Sequence, residues 1–167
     1  MPTPSATPPR SSSADFVERF ARWWSAPDPD RLGELLADDV RLVQPIAPDT
    51  ATLADGAAAF RRLFRFLPDL TGEVHDSSVD GNIVFIHFTL SATYGGRPIS
   101  WDAVDRFVLR EDGLASERVS FFDSQPLVLQ MLLRPRGWVQ LARSGFRPQL
   151  RARPPARAAA PGAPRSS

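Results

Sequence analysis

The sequence predicts an α+β fold in which N-terminal helices pack into the concave face of one strongly curved antiparallel sheet. Three observations predict it. The apolar period changes near residue 70, from 3.6 residues to 2. Three hairpin-type turn signals, Asp80-Gly81-Asn82, Gly95-Gly96 and Glu111-Asp112-Gly113, divide the second half into long strand candidates. A single domain follows from length, since 167 residues with 43% hydrophobic content suit one core.

Residues 1–13 are rich in Pro, Ser and Thr and are expected to be disordered. Ser12 or Ser13 can cap a helix that runs to about Ser25, because Phe16, Phe20 and Trp24 are spaced by four. Asp28-Pro29 reads as an N-cap with Pro at the first helical position, and Leu32, Leu35 and Leu36 stripe the short helix behind it. Val40 to Val43 is a short strand stopped by Pro45 and Pro48. Gly56 to Leu67 is a third helix, with Phe60, Leu63, Phe64 and Leu67 on one face and Arg61, Arg62 and Arg65 on the other. Strands are expected at 72–80, 83–94, 97–110 and 114–123. A last helix spans Leu127 to Leu133, and Trp138 to Phe146 forms a basic amphipathic segment. The folded domain is therefore placed at 14–135, followed by a basic Pro-, Ala- and Arg-rich extension at 136–167.

Charge is unevenly placed. Up to Asp123 the chain holds nineteen acids and twelve arginines, a net of −7. Residues 134–165 hold eight arginines and no acid, a net of +8. The extension could contact an anionic surface, fold onto the acidic body or stay solvated. It lacks the interleaved aromatics of a nucleic-acid binder, so nucleic acid is not expected as a partner. The absence of cysteine excludes disulfides, thiol catalysis and cysteine-ligated metal. Met1 to Ser13 lacks the apolar stretch of a secretory signal, and no apolar run approaches membrane-spanning length. The expected location is the cytoplasm.

The chemistry centres on Asp105. It interrupts the apolar strand Ser100 to Leu109, and strand parity puts Trp101, Ala103, Asp105 and Phe107 on one face. A carboxyl carried into an apolar face must find a partner or stay protonated. It is then either a pocket group or a structural carboxylate. His87 is a possible general base, but Ile86, Phe88 and Leu90 take the core side and leave it the other face. His75 beside Asp76 has no second ligand at metal spacing, so no metal or other cofactor is expected. Asp38-Asp39 reads as helix-exit chemistry.

Three stretches, Asp30 to Pro45, Asp102 to Gly113 and Glu117-Arg118-Val119-Ser120-Phe121-Phe122-Asp123, resemble the nuclear-transport-factor-2-like superfamily in its SnoaL-like and ketosteroid-isomerase-like branch. The resemblance covers roughly residues 14–135. It implies a cone-shaped α+β fold, usually dimeric, with a deep apolar pocket between helices and sheet. In ketosteroid isomerases an Asp before the proline after the first strand is the base; that position holds Gln44. The Tyr of the first helix is matched by Phe20. The protonated Asp of the penultimate strand is matched by Asp105; in those isomerases an apolar site keeps that carboxylic acid neutral. Gln44 cannot take a proton near neutral pH, which argues against steroid isomerisation by that route. The Asp–Arg–Asp set of the epoxide hydrolases falls on Ser120 and near His87 and Thr89. If the family register holds, Arg118, Ser120 and Phe122 face inward. An Arg118–Asp105 pair would favour the charged carboxylate, as an anion-binding pair or as a buried pair that fixes register.

Three readings follow. The first is an enzyme acting on an apolar polyketide-, steroid- or terpenoid-like compound. Asp105 would be acid, base or donor, assisted by Arg118, Ser120 or His87, in a pocket lined by Phe20, Trp24, Gln44, Phe64, Phe88, Trp101, Phe107 and Phe122. The second is a non-catalytic binder of a small apolar molecule. The third is a homodimeric protein-interaction module built on the open sheet face. An open pocket above Asp105 favours the first two readings, and an interior filled by the aromatic rings favours the third.

Overall fold

The change of period near residue 70 is the change from helices to sheet. The computed structural model describes residues 10–45 and 48–146. The expectations for residues 1–9 and for the tail from residue 147 lie outside them. The elements are α1 (Arg10–Ser25), a 3-10 turn (Pro29–Glu34), β1 (Leu36–Val43), α2 (Leu53–Phe66), β2 (Thr71–Asp80), β3 (Ile83–Tyr94), β4 (Arg97–Leu109), β5 (Ala115–Phe121), α3 (Ser124–Leu132) and α4 (Pro135–Ser144). Five strands form one sheet in the order β1-β5-β4-β3-β2. The fold is α+β, the cone of the expected superfamily.

Local signals account for most boundaries. Asp28 caps the 3-10 turn, accepting from the Asp30 amide at 2.9 Å, with Pro29 at its first position. Thr52 caps α2 through the Asp55 amide at 3.1 Å. The helix thus begins three residues before the expected Gly56. Gly95 and Gly96 take φ of 59° and 77°, the left-handed pair that a tight two-residue hairpin requires. They set β3 against β4 in a register running from Ile83–Val108 to Tyr94–Arg97.

Three expectations are corrected. Arg10 to Ser13 belong to α1, and Ser13 is buried, because the helix extends one turn ahead of the serine caps. β1 begins at Leu36 rather than Val40. Leu36 and Ala37 leave the 3-10 turn directly into the sheet, where β1 pairs in parallel with β5. The basic amphipathic segment expected at Trp138 to Phe146 begins earlier, at Pro135, as α4, which docks on the end of the sheet.

That docking rests on close approach. A Cβ at Gly137 would lie 2.1 Å from Tyr94 Cζ, so the helix can reach Tyr94 only with glycine there. Gln140 donates to the Phe66 carbonyl at 2.6 Å, and Phe146 stacks on Phe66 at 5.3 Å and 5°. Burial raises the Tyr94 phenol above its ordinary pKa, partly countered by the Arg134 guanidinium. Gly137→Ala should destabilise the protein by about 1–3 kcal/mol, the usual cost of overpacking. A urea midpoint equal to that of the wild type would disprove the close-approach account.

Candidate functional site

The concave face of the sheet is built by alternate residues of β3, β4 and β5. Val84, Ile86 and Phe88 of β3, Ala103, Asp105 and Phe107 of β4, and Arg118 and Ser120 of β5 are all buried. Asp105 is fully buried, directly opposite Ser120 and Ile86, while Arg118 pairs with Phe107 one step along. The diagonal brings the Arg118 guanidinium to the carboxylate. Arg118 Nε donates to Asp105 Oδ2 at 2.6 Å, and Ser120 Oγ donates to Asp105 Oδ1 at 2.5 Å. Arg118 also lies 5.5 Å from the Phe60 ring centroid, so α2 covers the cation. Asp105, Arg118 and Ser120, which the family resemblance put on the inward face, thus meet in one cluster.

Rings pack over that cluster, where an open pocket was expected. Phe20 of α1 meets Phe88 at 5.1 Å and Phe107 at 5.3 Å, and Phe16 meets Phe107 at 4.9 Å. Trp24 meets Phe88 at 5.8 Å, Phe60 at 6.1 Å and Phe64 at 6.5 Å. Most of these contacts are edge-to-face, each contributing about 0.5–1.5 kcal/mol beyond burial. Phe20, Trp24, Phe64, Phe88 and Phe107 therefore fill the interior rather than line it. Two surface clefts of about 420 and 450 Å³ are present. One lies between the 3-10 turn and α2, around Asp30 and Arg61; the other lies at the α1–β2 edge, around Gly72 and Thr89. Asp105, Arg118 and Ser120 line neither.

The other candidates separate. His87 is corrected as a partner of Asp105. Its β3 neighbour Ile86 takes the register position beside Asp105, so His87 emerges on the convex face and meets Asp76 at 3.3 Å. Thr89 lies on that face too, bridging His75 Nε2 at 2.7 Å and Asp102 at 2.5 Å. The sequence alone did not reveal this relay, because a bulge between Val74 and Asp76 places His75 beside Thr89. Gln44 is half-buried, one residue beyond the Val43–Val119 pairing, at the Ser120 end of β5. Trp101 and Phe122 are half-buried with ring centroids 6.5 Å apart, and the Trp101 indole N–H is enclosed without an acceptor. The part of Phe16 and Phe60 in closing the interior was also missed, although the Phe16/Phe20/Trp24 spacing carried the signal. Among the described residues no group of three His, Asp or Glu side chains could hold a metal.

Breaking the cluster should be costly. Asp105→Leu strips a buried arginine of its partner, with an expected loss of roughly 3–5 kcal/mol, and the double variant Asp105→Leu/Arg118→Met should recover most of it. Equal stability of the single and double variants in chemical denaturation would refute the pairing.

The SnoaL-like domain family matches residues 17–118. No curated protein sequence matches the chain. Among solved structures, a candidate SnoaL-like polyketide cyclase from Jannaschia sp. CCS1 superposes with a TM-score of 0.66 at 20% identity, covering 81% of this chain and 99% of its own. TsrD from Streptomyces laurentii gives 0.62 at 25% identity, covering 74% and 96%. An LEH-like epoxide hydrolase from M. tuberculosis gives 0.59 at 21% identity, covering 80% and 96%.

Proposed function

Because the chain belongs to the SnoaL-like domain family, we propose that it is a homodimeric binding module of that family whose interior chamber is closed. It acts through its surfaces rather than by turnover at Asp105. The observation that carries this reading is the ring packing of Phe16, Phe20, Trp24, Phe88 and Phe107 over the concave face. It leaves the Asp105 carboxylate fully buried, with two protein donors, and outside both surface clefts. Phe20 carries no hydroxyl and Gln44 no titrating group, so two of the three groups of the isomerase chemistry are missing.

The convex face supports the dimer. Val104 and Phe121 are cross-strand neighbours, 36% and 44% exposed, and Phe85 is 38% exposed. Arg106 with Glu117 at 2.6 Å and His87 with Asp76 flank them. An apolar centre with a polar rim is the usual anatomy of a protein interface.

A second reading is favoured by one observation, the buried Trp101 indole N–H without an acceptor. A ligand carbonyl could satisfy it. In this reading the chain acts on an apolar polyketide-, steroid- or terpenoid-like carbonyl or epoxide compound, as an isomerase, cyclase or hydrolase. Asp105 would be the acid, base or donor, exposed when α2 moves. The candidate polyketide cyclase and epoxide hydrolase among the structural neighbours support it by analogy only.

Sedimentation equilibrium and native mass spectrometry distinguish the two readings. The wild type should be a dimer at micromolar concentration, and Phe121→Lys should shift it to monomer with its circular dichroism unchanged. A monomeric wild type would overturn the dimer. A stoichiometric apolar adduct in native mass spectrometry would overturn the closed chamber and favour the enzyme.

A further inference from the structure

The C-terminal helices present apolar surface that neither reading uses. Asp123 caps α3 through the Gln125 amide at 2.9 Å. α3 then buries Leu127 inward and leaves Leu129, Leu132 and Leu133 57%, 60% and 72% exposed. The 129, 132, 133 spacing puts these leucines on one side of the helix. α4 is held in a fixed rotation by Gly137 under Tyr94 and by Gln140 on the Phe66 carbonyl. Its outward side therefore carries Trp138 and Val139, each 52% exposed. Trp138 Nε1 donates to the Met131 carbonyl at 3.1 Å, which draws the Trp ring onto α3 and joins the two surfaces into one patch.

The charge carried by α4 has one sign. Arg136 and Arg143 are exposed on α4, five further arginines follow Phe146, and no acid occurs after Asp123. The nineteen acids all lie in the body. We propose that the α3–α4 face seats the protein on an anionic phospholipid bilayer, with the leucines, Trp138 and Val139 entering the headgroup boundary and Arg136 and Arg143 meeting lipid phosphates. The observations favour a bilayer over a protein partner. The apolar side chains protrude from helix surfaces and line neither cleft, so they need no matching pocket. Trp and Arg are suited to the boundary, one by its amphipathic ring and the other by its long stem and charged head. Apolar and basic residues on one short helical surface are the combination that interfacial helices use. The acidic body would be repelled by the same lipids, and the asymmetry fixes which end faces the membrane. No helix among the described residues is long and apolar enough to cross a membrane, so the seat is superficial. The inference does not depend on the convex-face dimer, which uses β3, β4 and β5.

Co-sedimentation of the full chain with sonicated vesicles tests it. Vesicles of equimolar phosphatidylglycerol and phosphatidylcholine should bind the protein at low salt, and pure phosphatidylcholine vesicles should bind it at least about tenfold more weakly. The triple variant Leu132→Ser/Leu133→Ser/Trp138→Ser, shown to be folded by circular dichroism, should lose about tenfold or more on the anionic vesicles. In the Trp101→Phe background, brominated lipid should quench Trp138 fluorescence, and Trp138→Phe should remove that quenching, since the remaining Trp23 and Trp24 are buried. No binding to anionic vesicles overturns the proposal. Binding unchanged in the triple variant also overturns it, because the arginines alone would then suffice. Concentration-dependent self-association lost in the triple variant, without vesicle binding, would give the face to a second copy and overturn the bilayer.

Discussion

The structure depends on the packing of α1 against the concave face of the sheet. Phe16, Phe20 and Trp24 project from one side of α1 at intervals of four and meet Phe88 and Phe107 at ring distances of 4.9–5.8 Å. Each of these side chains is at most 2% exposed, so each contributes about 1.5–3 kcal/mol by burial. This packing holds the helix layer on the sheet. It also consumes the volume that would otherwise be a chamber, so the element that makes the cone stable is the one that closes it.

Closure determines what Asp105 can be. A carboxylate in an apolar interior is tolerated only with donors, and β5 supplies two from adjacent inward positions, Arg118 and Ser120. With Phe60 against the guanidinium, the ion pair is sealed by α2. A buried pair of this kind specifies which strands meet and in what register more than it adds stability. The same β4–β5 register sets Val104 beside Phe121 on the opposite face. The sealed interior and the exposed apolar strip are thus two sides of one strand pairing.

The chain's surfaces differ in chemistry as well as position. The convex sheet face mixes apolar residues with ion pairs of both signs, Arg106 with Glu117 and His87 with Asp76. α3 and α4 mix apolar residues with arginine and hold no acid beyond the Asp123 cap. The first suits a self-complementary contact, where each charge finds its opposite across a twofold axis. The second suits an extended surface of one charge sign.

The sequence by itself determined the α+β class, the bounds of β3, the turns between the last four strands and the face that Asp105 shares with Phe107. It also carried the superfamily resemblance, and that resemblance placed Arg118 and Ser120 on the inward face beside the strand of Asp105. The directly read features follow from local causes: a period of 2, glycines at turns needing positive φ, the cap at Asp28, and alternation along β4. Tertiary structure decided the rest. Whether Phe20 and Trp24 line a pocket or fill it depends on how far α1 sits from the sheet, which no periodicity encodes. The parallel pairing of β1 with β5 is a contact between residues some 75 positions apart. The amphipathic pattern of α4 was legible, but its docking needs Gly137 to meet Tyr94, a contact across 43 residues that pattern alone cannot see. Local geometry is written in neighbouring residues, but the volume left between layers is set by all of them together.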